Sequence, residues 1–137
     1  MEIGVPHAVH FTKHVSEMDV AALGAAVRHH AHFAPHGTNV NFAQILSPNR
    51  LRLRTFERGV EAETLSCGTG AAAAAVLANR LKKAQFPITV ETAGGEELTV
   101  ACVKEKLFLR GAAEVVFVGI WSEGKKEKND FAGAMPI

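Results

Sequence analysis

Two cysteines, Cys67 and Cys102, are all that the 137 residues contain. That is too few for a disulfide scaffold, and neither sits in the C-x-x-C pairing of a zinc site. Long apolar runs are also missing. The longest, Gly70 to Ala78, falls far short of the ~20 residues that span a bilayer, so no membrane partner is expected. Charge of one sign is not in excess: 15 Lys and Arg against 14 Asp and Glu leave a formal net charge of +1. A near-neutral chain is a poor electrostatic partner for nucleic acid or an anionic lipid surface. The stretch from Met1 to His10 has no basic region leading into an apolar one, so no signal peptide is expected and the cytoplasm is the default location.

What the chain does contain is globular. Hydrophobic residues make up 47% and charged residues 21%, and this length fits one domain with a real core. Residues 1–122 are expected to form that domain, followed by a polar tail over 123–137. Ile3 to Phe11 reads as a strand, and Asp19 reads as the start of a helix whose Val20, Leu23 and Val27 have helical spacing. Asn39 to Leu46 and Arg50 to Phe56 alternate as strands around Ser47-Pro48-Asn49, which predicts an antiparallel hairpin. Arg50, Arg52 and Arg54 share one face of it and read as a solvated stripe. Glu57 to Thr64 reads as a charged loop. Ile88 to Thr92, Leu98 to Val103, Leu107 to Leu109 and Glu114 to Trp121 read as further strands with short, meander-like links.

The segment from Gly70 to about Lys83 is an alanine-rich helix, and from Ala71 to Ala78 it has no polar face. Such a helix belongs inside, and its small side chains let strands approach closely. The fold class expected is therefore α+β: a curved, mainly antiparallel, barrel-like sheet wrapped around one central apolar helix, with the Asp19 helix outside. Cys67-Gly68-Thr69-Gly70 opens the central helix. The first N–H groups of a helix lack internal partners and favour an anion, and the same field favours a thiolate. Cys102, in a strand with apolar neighbours, reads as a core residue. All seven histidines lie within the first 36 residues. No cysteine or tight carboxylate set joins them, so no metal site is expected.

Three motifs occur in order: Gly4-Val5-Pro6-His7, Gly37-Thr38-Asn39-Val40-Asn41-Phe42, and the run from Glu57-Arg58-Gly59 to Ser66-Cys67-Gly68-Thr69-Gly70. Over at least residues 3–120 the chain resembles the C-terminal half of diaminopimelate epimerase, in the cofactor-independent amino-acid racemase group. The resemblance implies two similar domains, each a sheet around a central helix, with a substrate cleft between them and one cysteine from each. One cysteine removes the α-proton and the other returns a proton to the opposite face, without pyridoxal phosphate or metal. The implied reaction converts LL- to meso-diaminopimelate, for lysine and peptidoglycan precursors. On this resemblance Cys67 is the proton-transferring cysteine, and Gly68 and Thr69 donate to the α-carboxylate. Glu57 and Arg58 contact substrate, Glu57 near the ammonium; Asn41 contacts the distal end; His7 assists proton transfer.

Two departures stand out. Val5 occupies the place where many members have a substrate-contacting asparagine, and the link from Gly59 to Thr64 is one residue longer than in many members. The domain with the other cysteine is absent from this chain, so the isolated chain is expected to be inactive. The expected partners are an amino-acid substrate and either the missing N-terminal domain or a second copy of the chain. Two other readings remain beside it: another cofactor-independent amino-acid racemase acting as a homodimer, or a non-catalytic binding module on the same fold.

Overall fold

A computed structural model describes residues 1–120. Strand β1 (Glu2–Ile3) turns back at Gly4, whose φ is +72°, into β2 (Val5–Phe11). The glycine thus divides the first expected strand in two. Helix α1 (Val20–Arg28) starts where Asp19 accepts a hydrogen bond from the Ala22 N–H at 3.0 Å. Strands β3 (Asn39–Ser47) and β4 (Arg50–Glu57) form the expected antiparallel hairpin. After it come β5 (Ala62–Thr64), α2 (Gly68–Arg80), β6 (Ile88–Glu91), β7 (Glu97–Val103) and β8 (Lys106–Arg110). The expected charged loop therefore contains a short strand.

The strands make one sheet in the order β1-β2-β3-β4-β6-β7-β8, with β5 beside β4. β2 with β3 and β4 with β6 are parallel pairs, and the other pairings are antiparallel. One edge of β4 serves two neighbours: β6 at Arg50 to Arg52 and β5 at Thr55 to Glu57. The sheet curls around α2, which touches every strand except β5. Ala71 to Ala75, Val76 and Ala78 are all buried, as a helix without a polar face requires. The helix ends before Lys83, because Lys82 takes a left-handed φ of 57°. There the N–H groups of Lys82 and Lys83 bond back to Asn79 and Ala78, a Schellman ending.

The two faces of the sheet carry separate cores. Ala43, Leu51, Leu53, Ile88, Val90 and Val100 pack on the alanines of α2. Val40, Phe42 and Phe56 pack on the other face with Val15 and Val20, so α1 lies outside as expected. β3 runs between the two helices, which is why Asn39 to Ala43 are buried without a break.

Three expectations need correction. Arg50, Arg52 and Arg54 are not a free solvated stripe. Arg50 pairs with Glu91 at 2.6 Å and with Glu97, Arg52 pairs with Glu91 at 2.8 Å, and Arg54 chelates Glu63 at 2.7 Å. Arg54 also donates to the carbonyls of Val15 and Met18, tying the chain ahead of α1 to the sheet. Cys102 is exposed, not core. It lies two residues beyond buried Val100, but it faces the last turn of α2, where Val76, Asn79 and Arg80 leave a cavity of about 290 Å³. Residues 114–120 form no strand. Val116 is 93% and Ile120 99% exposed, and no strand pairing among the described residues includes them. Trp121 and the expected tail, residues 123–137, lie outside the described residues.

Leu51 is fully buried against α2. Leu51→Ala is expected to lower the unfolding free energy by about 2–5 kcal/mol. Asp19→Ala, which removes only the helix cap, is expected to cost about 1 kcal/mol. Urea denaturation of both variants gives the comparison.

Candidate active site

The face of the sheet that meets α2 changes character along its length. Val9, Phe11, Ala43, Ile45, Leu51 and Leu53 are the apolar part. Counting by twos along the same strands, back on β2 and β3 and forward on β4, gives His7, Asn41, Asn39, Thr55 and Glu57. The first four of these are buried. The polar part lies beside the start of α2.

Cys67 is the N-cap residue of that helix, with extended backbone (φ −139°, ψ 103°). Its carbonyl accepts the first helical hydrogen bond, from Ala71 N–H at 2.9 Å. The N–H groups of Gly68, Thr69 and Gly70 precede that bond and are left for an acceptor from outside the helix. The thiol is 9% exposed and lies 3.7 Å from the Thr69 hydroxyl, which is exposed. Gly68 and Gly70 are needed for space. A Cβ on Gly68 would lie 2.8 Å from Leu109, and one on Gly70 would lie 2.3 Å from Asn41 Oδ1 and 3.2 Å from Cys67 Sγ. Asn41 and Cys67 therefore flank the same glycine.

Asn41 is fully buried, and its amide bonds only within the protein. Nδ2 donates to the Ala8 carbonyl at 3.1 Å and faces His7 Nδ1 at 3.1 Å, while Oδ1 accepts from the Thr55 hydroxyl at 3.0 Å. Asn39 is not among the site residues expected from sequence. Its Oδ1 accepts the Arg58 backbone N–H at 2.7 Å, and its amide nitrogen has no hydrogen bond to any described residue. The signal for it is its place two residues before Asn41, on the same strand face.

Glu57 ends β4 with its carboxylate unpaired among the described residues, and its carbonyl accepts the Glu61 N–H at 2.8 Å. The loop that follows is held from outside. Glu61 accepts from the Gly59 N–H and from Arg28, and His29 lies 3.3 Å from its second oxygen. The Gly59 N–H, followed by Arg28, keeps the Glu61 carboxyl below the usual range. Arg58 reaches the His36 carbonyl at 3.4 Å. His7 is 3% exposed. Burial first, then the Met1 ammonium and Arg58, lower its pKa to about 4, so the ring is neutral near pH 7.

A cavity of about 790 Å³ opens elsewhere. It lies in the gap between β5 and β6, against Arg52, Arg54, Glu63 and Glu91, and none of the expected site residues lines it. Its arginines are already paired with glutamates. The site with unspent groups is the one at Cys67.

Residues 1–116 match the family model described as diaminopimelate epimerase. The chain belongs to the diaminopimelate epimerase family. It is 41% identical over 122 residues to a diaminopimelate epimerase of Chlorobaculum tepidum, covering 87% of this chain and 48% of that protein. It is 46% identical over 125 residues to one from Aquifex aeolicus, covering 88% of this chain and 44% of that protein. The chain thus spans about half the length of these relatives. Its fold is similar to a PhzF-family phenazine biosynthesis protein of Enterococcus faecalis, with a TM-score of 0.56 at 18% identity, over 76% of this chain and 36% of that one. Among the described residues no helix is long and apolar enough to cross a membrane.

Two predictions come from this geometry. Gly70→Ala is expected to cost about 1–3 kcal/mol in urea denaturation, since Asn41 must move to admit the methyl group. The second concerns pH. His7 is neutral in the folded chain down to about pH 4, whereas in the unfolded chain it takes up a proton near its ordinary 6.5. Between these values the unfolded state binds more protons, so stability falls as pH falls. Relative to His7→Gln, the wild type is expected to lose up to about 3 kcal/mol between pH 7 and 4, read from unfolding midpoints at each pH.

Proposed function

We propose that this chain is the C-terminal half of a diaminopimelate epimerase that works without pyridoxal phosphate and interconverts the LL and meso forms. The observation that carries the reading is a thiol at the open start of a buried helix, with Asn41 bordering the same glycine, Gly70, and bonded in turn to His7, in a chain of this family.

The chemistry follows from the weakness of an amino acid's α-hydrogen as an acid. As the Cα–H bond breaks, its electron pair spreads into the adjacent carboxylate. N–H groups of Gly68 and Thr69 at the helix start oppose that growing charge without having to reorganise. Cys67, as a thiolate, takes the α-proton from one face of the carbon. The Glu57 carboxylate holds the substrate ammonium, whose charge also steadies the carbanion. Arg58 and the free amide of Asn39 stand beside it for the remaining polar groups. Protonation on the opposite face completes inversion, and a second thiol outside this chain supplies that proton. No metal or organic cofactor enters these steps.

The surface around the site supports a covering partner. Leu65, two residues before Cys67, is 74% exposed, and Leu109, 49% exposed, packs over Gly68. Apolar surface of this kind, next to an open site, suits burial against another protein surface. The remaining half of the relatives' length is the candidate for it.

The test is deuterium incorporation and inversion of LL-diaminopimelate in D2O. The purified 137-residue chain alone is expected to give negligible turnover. Placed behind the N-terminal half of the Aquifex aeolicus relative, it is expected to give both exchange and inversion. Cys67→Ala in that fusion should lower turnover about 10²–10⁴-fold. A fusion that ignores loss of Cys67 sinks the reading. Inversion by the chain alone, with a dimeric solution mass, would favour instead a symmetric racemase built from two copies.

A further inference from the structure

The buried hydrogen bonds around Asn41 determine more than its own orientation. A carbonyl oxygen can only accept, so the Asn41 atom 3.1 Å from the Ala8 carbonyl is its amide nitrogen. The Thr55 hydroxyl then donates to the amide oxygen at 3.0 Å. The same amide nitrogen lies 3.1 Å from His7 Nδ1. An NH₂ group cannot accept a proton, so Nδ1 must be the acceptor and carries none. The single proton of the neutral ring is left on Nε2.

Nε2 is buried and has no hydrogen-bond partner among the described residues. A buried donor left unsatisfied is costly, by about 1–3 kcal/mol. It is retained here in a ring 3% exposed, bonded to the Asn41 amide whose oxygen borders Gly70 together with the Cys67 sulfur. We propose that Asn41 is a positioning residue that locks His7 as the Nε2–H tautomer, so that His7 offers the Cys67 site a hydrogen-bond donor and not a proton-accepting base. Nδ1 is covered by Asn41, and Nε2 already holds its proton, so neither nitrogen is open to take up another. The groups facing the ring with charge are the Met1 ammonium and the Arg58 guanidinium, and both disfavour a second proton. The lock is a property of this chain. Only its use by a substrate rests on the proposed epimerase reading.

The experiment is a long-range ¹H–¹⁵N correlation of the histidine rings in the ¹⁵N-labelled 137-residue chain near pH 7. It reads the ring, not turnover, so failure of the lock and failure of the epimerase reading are distinguishable. In the wild type, His7 Nδ1 is expected to resonate as an unprotonated nitrogen and Nε2 as a protonated one, with titration only near pH 4. Asn41→Asp replaces the donor with an acceptor, and is expected to draw the proton to Nδ1 and raise the pH at which His7 titrates. A wild-type ring that is protonated on Nδ1, or that averages between tautomers, overturns the proposal. So does a folded Asn41→Asp variant with an unchanged ring. If that variant does not fold, the wild-type spectrum decides alone.

Discussion

The structure depends on how closely the sheet approaches the start of α2. At Gly70 there is no room for a methyl group, because Asn41 Oδ1 would sit 2.3 Å from it and Cys67 Sγ 3.2 Å. That closeness is available only to a helix of glycine and alanine, and it is what lets one helix meet seven strands. A bulkier helix would push the strands outward and open the curl. The same closeness places the polar part of the sheet face against the N-terminus of the helix, so folding and the chemistry at Cys67 share one contact.

The division of that face explains why the site is buried yet unspent. Along β3 the side chains facing α2 run Asn39, Asn41, Ala43, Ile45, from polar to apolar. Burying the first two is tolerable because most of their groups are paired: Asn41 with Ala8, His7 and Thr55, and Asn39 with the Arg58 N–H. What remains at the site without partners among the described residues is a short inventory: the Nε2–H of His7, the amide nitrogen of Asn39, the Glu57 carboxylate and the first N–H groups of α2. Donors outnumber acceptors in it. Such a site suits a ligand that presents carboxylate oxygens to the donors and one ammonium to Glu57, which is the polar outline of an amino acid.

Much of this was legible in the residues themselves. Alternation predicted the hairpin of β3 and β4, and the unbroken alanines predicted a central helix with the sheet around it. Glycines at 68 and 70 marked where that helix opens. Features set by tertiary partners were harder to see. Val115 to Ile120 has strand composition, but a strand exists only where it pairs, and no pairing includes it among residues 1–120. Cys102 has apolar neighbours in sequence, but burial depends on what lies opposite, which is the polar end of α2. The arginines of β4 found glutamates on β5, β6 and β7, contacts that no local pattern reports. Asn39 and Asn41 are alike in sequence, and only the hydrogen-bond geometry separates an anchored amide from one with a free nitrogen.

On the proposed reading, a half-site of this kind exchanges a proton but does not invert the carbon by itself. Cys67 is fixed to one helix end, and a substrate carboxylate held by the same helix's N–H groups presents one face of its α-carbon to that sulfur. Proton removal and return by Cys67 alone gives exchange with retention. Inversion needs an acid on the far side, and Cys102 cannot supply it, because it faces the opposite, C-terminal end of α2. On the same reading, what completes inversion arrives over the open end of α2, where Leu65 and Leu109 leave an apolar rim. Under the proposed epimerase reading the apolar rim and the second acid are two aspects of one requirement: the surface that covers the first should carry the second.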